Sequence, residues 1–325
     1  MAVRGCNRVG AEVRENGAMT VRVLYIGGSG RSGSTLVDRI IGQLPGFFSA
    51  GELNVVAWAG VGQNRLCGCG TPFLACPFWT RVGDDAFGGW NHVDRDALQR
   101  ASASSYPGAL RAILGRAAPE SDRVNQTLLW RLYDAVSRAA NGATVIDSSK
   151  DPTYVAQLTT IPELDVRAIH LVRDSRGVAN SWSRTVTRPD VPGQDVEMLR
   201  MSAPQVAVRW ILHNTVMELL GRRMPVSRLR YEDLLGNPRR ELARLLAELA
   251  MPVGAEALEF IGDSSVRLEP NHTVMGNPMR MHTGDVPLRL DDTWRSTMPA
   301  IPKAIVTAST WPFLVRYAYP LRSRS

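Results

Sequence analysis

Two segments far apart in the chain concentrate groups that hold phosphate. The first is Gly27-Gly-Ser-Gly-Arg-Ser-Gly-Ser-Thr35. Its glycines let the backbone curl so that successive N–H groups converge, and a helix starting there adds partial positive charge. Ser32, Ser34 and Thr35 offer hydroxyl donors, and Arg31 offers a forked cation. The second segment is Arg173-Asp-Ser-Arg-Gly-Val-Ala-Asn-Ser-Trp182, in which Arg173 and Ser181 can converge on another phosphate. A nucleoside-triphosphate loop reads G-x-x-x-x-G-K-[ST]. Gly28 to Thr35 fits that pattern except that Ser34 occupies the lysine position. The departure removes the charge that would neutralise a transferring phosphoryl group. Two further charged groups stand out, Glu52 in Ala50-Gly-Glu-Leu53 and Lys150 in Val145-Ile-Asp-Ser-Ser-Lys-Asp-Pro152. A carboxylate touching a hydroxyl nucleophile can serve as its general base, and a cation can stabilise charge on a departing oxygen. Asp147 has the position of a metal-holding aspartate. With Lys150 it keeps an ATP- and Mg²⁺-dependent small-molecule kinase as the alternative.

Such residues need strands and helices to hold them. Val21–Ile26, Ala143–Ile146, Val166–Val172 and Val226–Leu229 read as buried strands. Stretches near 95–115, 123–140, 175–186, 196–223 and 238–250 have helical spacing, as do Leu36, Val37, Ile40, Ile41 and Leu44 after the first glycine turn. The alternation predicts a P-loop-type α/β fold, a central, mainly parallel sheet with helices on both faces. Ligands in such sheets lie at the carboxyl ends of the strands, and both phosphate-binding segments follow strands. With 325 residues and 44% hydrophobic content, a single domain over 21–325 is expected. Residues 1–20 read as an N-terminal extension, since Met19 immediately precedes the first strand.

The net charge is +7, and only Lys150 and Lys303 among the 38 basic residues are lysines. An Arg- and Ala-rich composition is what a GC-rich genome yields. The arginines are scattered rather than clustered, which argues against a nucleic-acid groove. No stretch of about 18 apolar residues predicts an integral membrane segment, and the N-terminus has no apolar signal region. Four cysteines are few, which favours a reducing, cytoplasmic setting. Cys67, Cys69 and Cys76 share a Gly/Pro-rich loop with no fourth ligand at short spacing. His92 could complete a zinc site and a local disulfide is possible, but reduced thiols are the favoured reading, with no metal required. Of the other histidines, His170 and His213 read as structural. His282 lies in a loop, and His272 is the second candidate for a general base.

The Gly-Arg-Ser-Gly-Ser-Thr-Leu loop at 30–36 and the Leu-Val-Arg-Asp-Ser-Arg-Gly-Val-Ala-Asn-Ser segment at 171–181 resemble the two signature elements of sulfotransferases that use 3′-phosphoadenosine-5′-phosphosulfate (PAPS). The resemblance implies that Gly30, Arg31, Ser32, Gly33, Ser34, Thr35 and Leu36 hold the 5′-phosphosulfate, and that Arg173 and Ser181 hold the 3′-phosphate. Arg230-Tyr-Glu-Asp-Leu234 resembles a segment lining the adenine side, with Tyr231 the contact. Asn271 to Arg280 resembles the late loop of bacterial members, with Arg280 a second cation on the 3′-phosphate. Glu52 and Lys150 match positions in tyrosylprotein sulfotransferases. That match implies Glu52 as base and Lys150 at the bridging oxygen. The expected reaction is in-line transfer of a sulfuryl group to a small-molecule hydroxyl acceptor, leaving adenosine 3′,5′-bisphosphate. The variable helical segment 80–140, with Phe87, Trp90, Tyr106, Trp130 and Tyr133, is expected to receive the acceptor.

Overall fold

The computed structural model describes residues 20–191 and 196–321, so the expected N-terminal extension lies outside the described residues save for Thr20. The chain begins with β1 (Val21–Gly28), α1 (Ser34–Ile41) and β2 (Phe47–Gly51), followed by α2 (Pro77–Phe87), α3 (Arg95–Ala101), α4 (Tyr106–Ile113) and α5 (Arg123–Ala139). It continues through β3 (Thr144–Lys150), α6 (Pro152–Leu158), β4 (Leu164–Val172), α7 (Ser175–Ser183), α8 (Ala203–Leu220) and β5 (Val226–Arg230). The last part holds α9 (Tyr231–Gly236), α10 (Pro238–Glu248), β6 (Ser265–Leu268), β7 (Gly284–Pro287), α11 (Trp294–Thr297) and α12 (Ala300–Arg316).

Five strands form one parallel sheet in the order β2-β3-β1-β4-β5. The expected α/β fold is therefore present. Alternate side chains of β1 explain why helices cover both faces. Val21, Val23 and Tyr25 enter a core with Val145, Val166, Leu132 and Trp79, whereas Leu24 and Ile26 enter another with Val37, Ile40, Ile169 and Leu245. A strand apolar on both faces must be covered on both. Because β1 is central, its carboxyl end at Gly28 lies between the ends of β3 and β4, and most of the expected site residues collect at this edge of the sheet.

Some elements differ from the expectation. The predicted 95–115 helix divides into α3 and α4, and α4 restarts with Ser105 capping the Gly108 N–H. The predicted 196–223 helix begins at Ala203, because Ser202 and Gln205 form a capping box with Pro in the first turn. The edge strand β2 and the helices α2 and α12 were not anticipated. β2 is only Phe-Phe-Ser-Ala-Gly, too short for a period to show, and α12 contains Pro312.

Candidate active site

A cavity of about 510 Å³ opens at the carboxyl edge of the sheet. It is lined by every expected site residue except Ser32 and Arg280: Gly30, Arg31, Gly33, Ser34, Thr35 and Leu36 from the first loop and α1, Glu52, Lys150, Arg173, Ser181 and Tyr231. A larger groove of about 780 Å³ along α5 lies away from the strand ends and contains none of them.

The first loop presents the N-terminus of α1 without any side-chain cap. Gly33 holds φ 91°, and a Cβ there would come within 2.4 Å of the Tyr231 ring. The loop therefore fits against that ring only with glycine at this position. Arg31 and Lys150 both sit in left-handed backbone, at φ 68° and 69°. Such backbone costs a non-glycine residue about 1–2 kcal/mol, and strain of this kind collects at functional sites. The Arg31 guanidinium lies over the Trp182 ring at 5.2 Å. Its Nε and Nη2 are buried without a hydrogen-bond partner among the described residues. Burial, followed by the nearby Arg188, pushes its pKa down. Arg31 lines the cavity, and a cation with two orphaned donors there fits an anion.

Arg173 is held from behind. Its Nη1 donates to the Arg31 carbonyl at 3.1 Å and its Nη2 to the Asp291 carbonyl at 2.8 Å, while its guanidinium covers the Tyr231 ring at 4.8 Å. Arg31 and Arg173 thus share one cavity although about 140 residues separate them in the chain. Ser181, near the end of α7, lines the same wall.

Glu52 and Lys150 are in direct contact, Lys150 Nζ donating to Glu52 Oε1 at 2.5 Å and to the Ser148 carbonyl at 3.1 Å. Glu52 is aimed by the residue before it. Gly51 adopts φ 84°, and a Cβ there would lie 2.3 Å from the Val274 carbonyl. The Glu52 N–H and the Val274 N–H close this approach by bonding to Val274 O and Ala50 O, each at 2.9 Å. The late loop therefore fixes the backbone of the candidate base and also supplies Met275, Gly276 and Asn277 to the cavity wall. The Asn277 N–H reaches back to Thr35 Oγ1 at 3.3 Å.

Asp147 is fully buried and does not line the cavity. One oxygen accepts from the Tyr133 hydroxyl and the other from the Ser149 N–H and hydroxyl, and burial pushes its pKa up to about 6. The carboxylate that favoured a kinase is thus committed to the core. Behind α1, Asp38 accepts from Ser49 at 2.6 Å and Ser148 at 2.8 Å, and burial raises its pKa to about 7.

Ser32 and Arg280 do not line the cavity. Ser32 is buried within the loop, its hydroxyl without a hydrogen-bond partner among the described residues. Arg280 is 1% exposed, donating to the Thr273 and Leu66 carbonyls and lying 3.6 Å from Asp190. Its donors hold the late loop rather than face the cavity. His272 was the second candidate base, yet its Nδ1 lies 3.3 Å from Cys76 Sγ and 3.7 Å from Cys67 Sγ, off the cavity. His92 is separate from these cysteines and pairs with the Gly88 carbonyl. His170 and His213 are structural, bonding to Asn214 Oδ1 and the Gly28 carbonyl.

Among the cavity residues that sequence reasoning missed, Trp182 and Arg188 stand closest to the first loop's arginine. Trp182 packs on Arg31 and donates Nε1 to the Gly30 carbonyl at 3.2 Å. Arg188 pairs with Asp190 at 2.9 Å while lining the cavity. Trp182 ended a segment already singled out, so its signal was present. Arg188 is one arginine among many in a loop and carried none. Of the aromatic residues in 80–140, Trp90 and Tyr133 are core. Tyr106 lines an adjoining groove of about 610 Å³ that shares Asp151 and Arg209 with the main cavity.

Residues 24–254 match the profile described as the Sulfotransferase family. No match was found among curated proteins. Two solved structures have the same fold. The sulfotransferase domain of the olefin synthase from Synechococcus PCC 7002 is 23% identical with a TM-score of 0.51, covering 93% of this chain and 96% of that one. The sulfotransferase domain from the curacin biosynthetic pathway is 17% identical with a TM-score of 0.53, covering 93% and 99%.

Proposed function

The chain belongs to the sulfotransferase family, and from that premise we propose that it moves a sulfuryl group from PAPS to the hydroxyl of a small molecule. One observation carries the reading. The α1 N-terminus, Arg31 with two unpartnered buried nitrogens, Arg173, and the Glu52–Lys150 pair all face one cavity. The first two suit the 5′-phosphosulfate, and Arg173 with Ser181 suits a 3′-phosphate, the group that distinguishes PAPS from ATP. Tyr231, already stacked under Arg173, suits the base or ribose side.

In this reading Glu52 accepts the acceptor's hydroxyl proton while that oxygen forms a bond to sulfur. The bond from sulfur to the bridging phosphate oxygen breaks, and Lys150 stabilises the charge left there. No enzyme-bound intermediate is needed, so catalysis rests on positioning and fixed charge. The acceptor approaches through the groove beside Asp151 and Arg209, where Tyr106, Met201, Val208 and Leu212 give an apolar wall. The commitment of both Asp147 oxygens within the core disfavours the Mg²⁺-dependent kinase. Calorimetric titration tests the reading. Adenosine 3′,5′-bisphosphate should bind in the presence of EDTA and more tightly than ATP with Mg²⁺. The reverse preference would refute it.

A further inference from the structure

The three cysteines of the 67–76 loop and a histidine almost 200 residues later form a cluster outside the active site. Cys67 Sγ, Cys69 Sγ, Cys76 Sγ and His272 Nδ1 all lie within 4.8 Å of one another. The separations match a definite coordination geometry. Tetrahedral zinc with Zn–S near 2.3 Å and Zn–N near 2.05 Å requires S···S about 3.8 Å and S···N about 3.6 Å. Here Cys69 Sγ to Cys76 Sγ is 3.7 Å, and His272 Nδ1 lies 3.7 Å from Cys67 Sγ and 3.3 Å from Cys76 Sγ. A disulfide needs sulfurs near 2.05 Å, so pairing Cys69 with Cys76 would require a movement that a central ion does not.

We propose that Cys67, Cys69, Cys76 and His272 bind one structural Zn²⁺ ion that ties the 65–76 loop to the late loop at 271–280. Four ligands with no open position describe a closed site rather than a catalytic one, which agrees with its location off the cavity. Thiolate and imidazole are the donor set that selects zinc over hard cations. On binding, the three thiols release their protons to solvent and the imidazole is neutral.

The surroundings are built to orient the ligands. Trp79 Nε1 donates to the His272 carbonyl at 2.8 Å, and the Phe78 ring stacks on the His272 ring at 5.2 Å and 15°. The Cys67 N–H and carbonyl close a tight turn with Thr71 and Gly70, each at 2.8 Å. Three thiolates with Zn²⁺ leave one negative charge, and the buried Arg280 guanidinium lies close by, donating to the carbonyl of Leu66, the residue before Cys67. The ion also sets one anchor of the loop whose next residues, Met275 to Asn277, line the cavity.

The test is metal analysis of the full chain purified under reducing conditions. Roughly one zinc per chain is expected, falling below about a tenth in Cys67→Ser and Cys76→Ser and unchanged in His92→Ala. Because loss of a buried ligand can prevent folding, the wild-type chain supplies a second measurement. After chelation, added Co²⁺ should give the intense visible bands of tetrahedral thiolate-bound cobalt. Amide exchange over 271–280 should speed up once the metal is stripped. A chain that holds no zinc and gives no cobalt spectrum overturns the site, as does a Cys69–Cys76 disulfide found by mass spectrometry in metal-free protein. Metal loss without any change in exchange over 271–280 overturns the tether.

Discussion

Replacing Arg31 by methionine should make the empty protein more stable while it weakens nucleotide binding, two effects of opposite sign from one side chain. Arg31 Nε and Nη2 are buried without partners, and each buried donor left unsatisfied costs about 1–3 kcal/mol. Methionine removes both donors, keeps an unbranched stem against the Trp182 ring, and relieves the repulsion from Arg188. Against this gain stands the lost cation–π contact with Trp182, about 0.5–1 kcal/mol. The left-handed backbone at this position is equally unfavourable for either residue, so it cancels. The net expectation is a gain of about 1–5 kcal/mol, a rise of several degrees in Tm for a domain of this size. Binding should move the other way. A hydrogen bond to a charged group contributes about 1.5–3 kcal/mol, so adenosine 3′,5′-bisphosphate should bind about 10- to 150-fold more weakly. Thermal unfolding without nucleotide and calorimetric titration read the two quantities independently. A variant that loses stability yet keeps its affinity would mean that Arg31 is a structural cation and that the phosphate lies elsewhere.

Glu52→Gln is isosteric and leaves Lys150 charged, so nucleotide affinity should hold or rise slightly. Turnover should fall by about 10²–10⁴-fold, the usual contribution of a general base; a rate within a few-fold of wild type would remove Glu52 from that role. Asp38 carries a pH signature. Burial raises its folded pKa to about 7 from an ordinary 3.8, so between those values the native state binds more protons than the unfolded one and stability falls as pH rises. The penalty is absent below about pH 4 and complete above about pH 7, with an upper limit of about 4 kcal/mol. Urea midpoints for wild type and Asp38→Asn should therefore diverge between pH 5 and pH 8 in favour of the variant; parallel profiles would refute the shift.

The scaffold was legible because its signals are local. The inner strands β1, β3 and β4 each carry an apolar stretch (Val23 to Ile26, Val145-Ile146, Ala168-Ile169 with Leu171-Val172), and the glycine turn after β1 marks itself, whereas β5, Val-Ser-Arg-Leu-Arg, is a half-buried edge strand with a weaker signal. What the sequence hid were the contacts set by the packing of one loop on another. Arg280 lies in a loop with the motif's spacing, but its direction depends on carbonyls of Thr273 and Leu66 that only the folded chain brings near. His272 and the 67–76 cysteines are joined by the closure of two loops, and a search for a fourth ligand at short spacing could not reach that far. The bridge between Gly51 and Val274, which aims Glu52, has the same long-range origin.

A chain this rich in arginine poses the question of which guanidinium groups are available to a ligand, and hydrogen bonding answers it together with the lining of the cavity, since Arg173 lines it while bonded to the Arg31 and Asp291 carbonyls. Arg39 donates to the carbonyls of Glu269, Met279, Arg280 and His282. Arg176 is closed by Asp174 and the carbonyls of Pro320 and Leu321. Arg280 is spent on Thr273, Leu66 and Asp190. These forks act as cross-links between segments that share no strand pairing, a task that suits a planar group with five donors and not a lysine. Arg31 differs in having buried donors with nothing to bind, a state that folding alone would not favour. In the proposed reaction the lysine at the cavity follows the same logic from the other side, a departing oxygen calling for a point charge, as Lys150 would supply, rather than a fork.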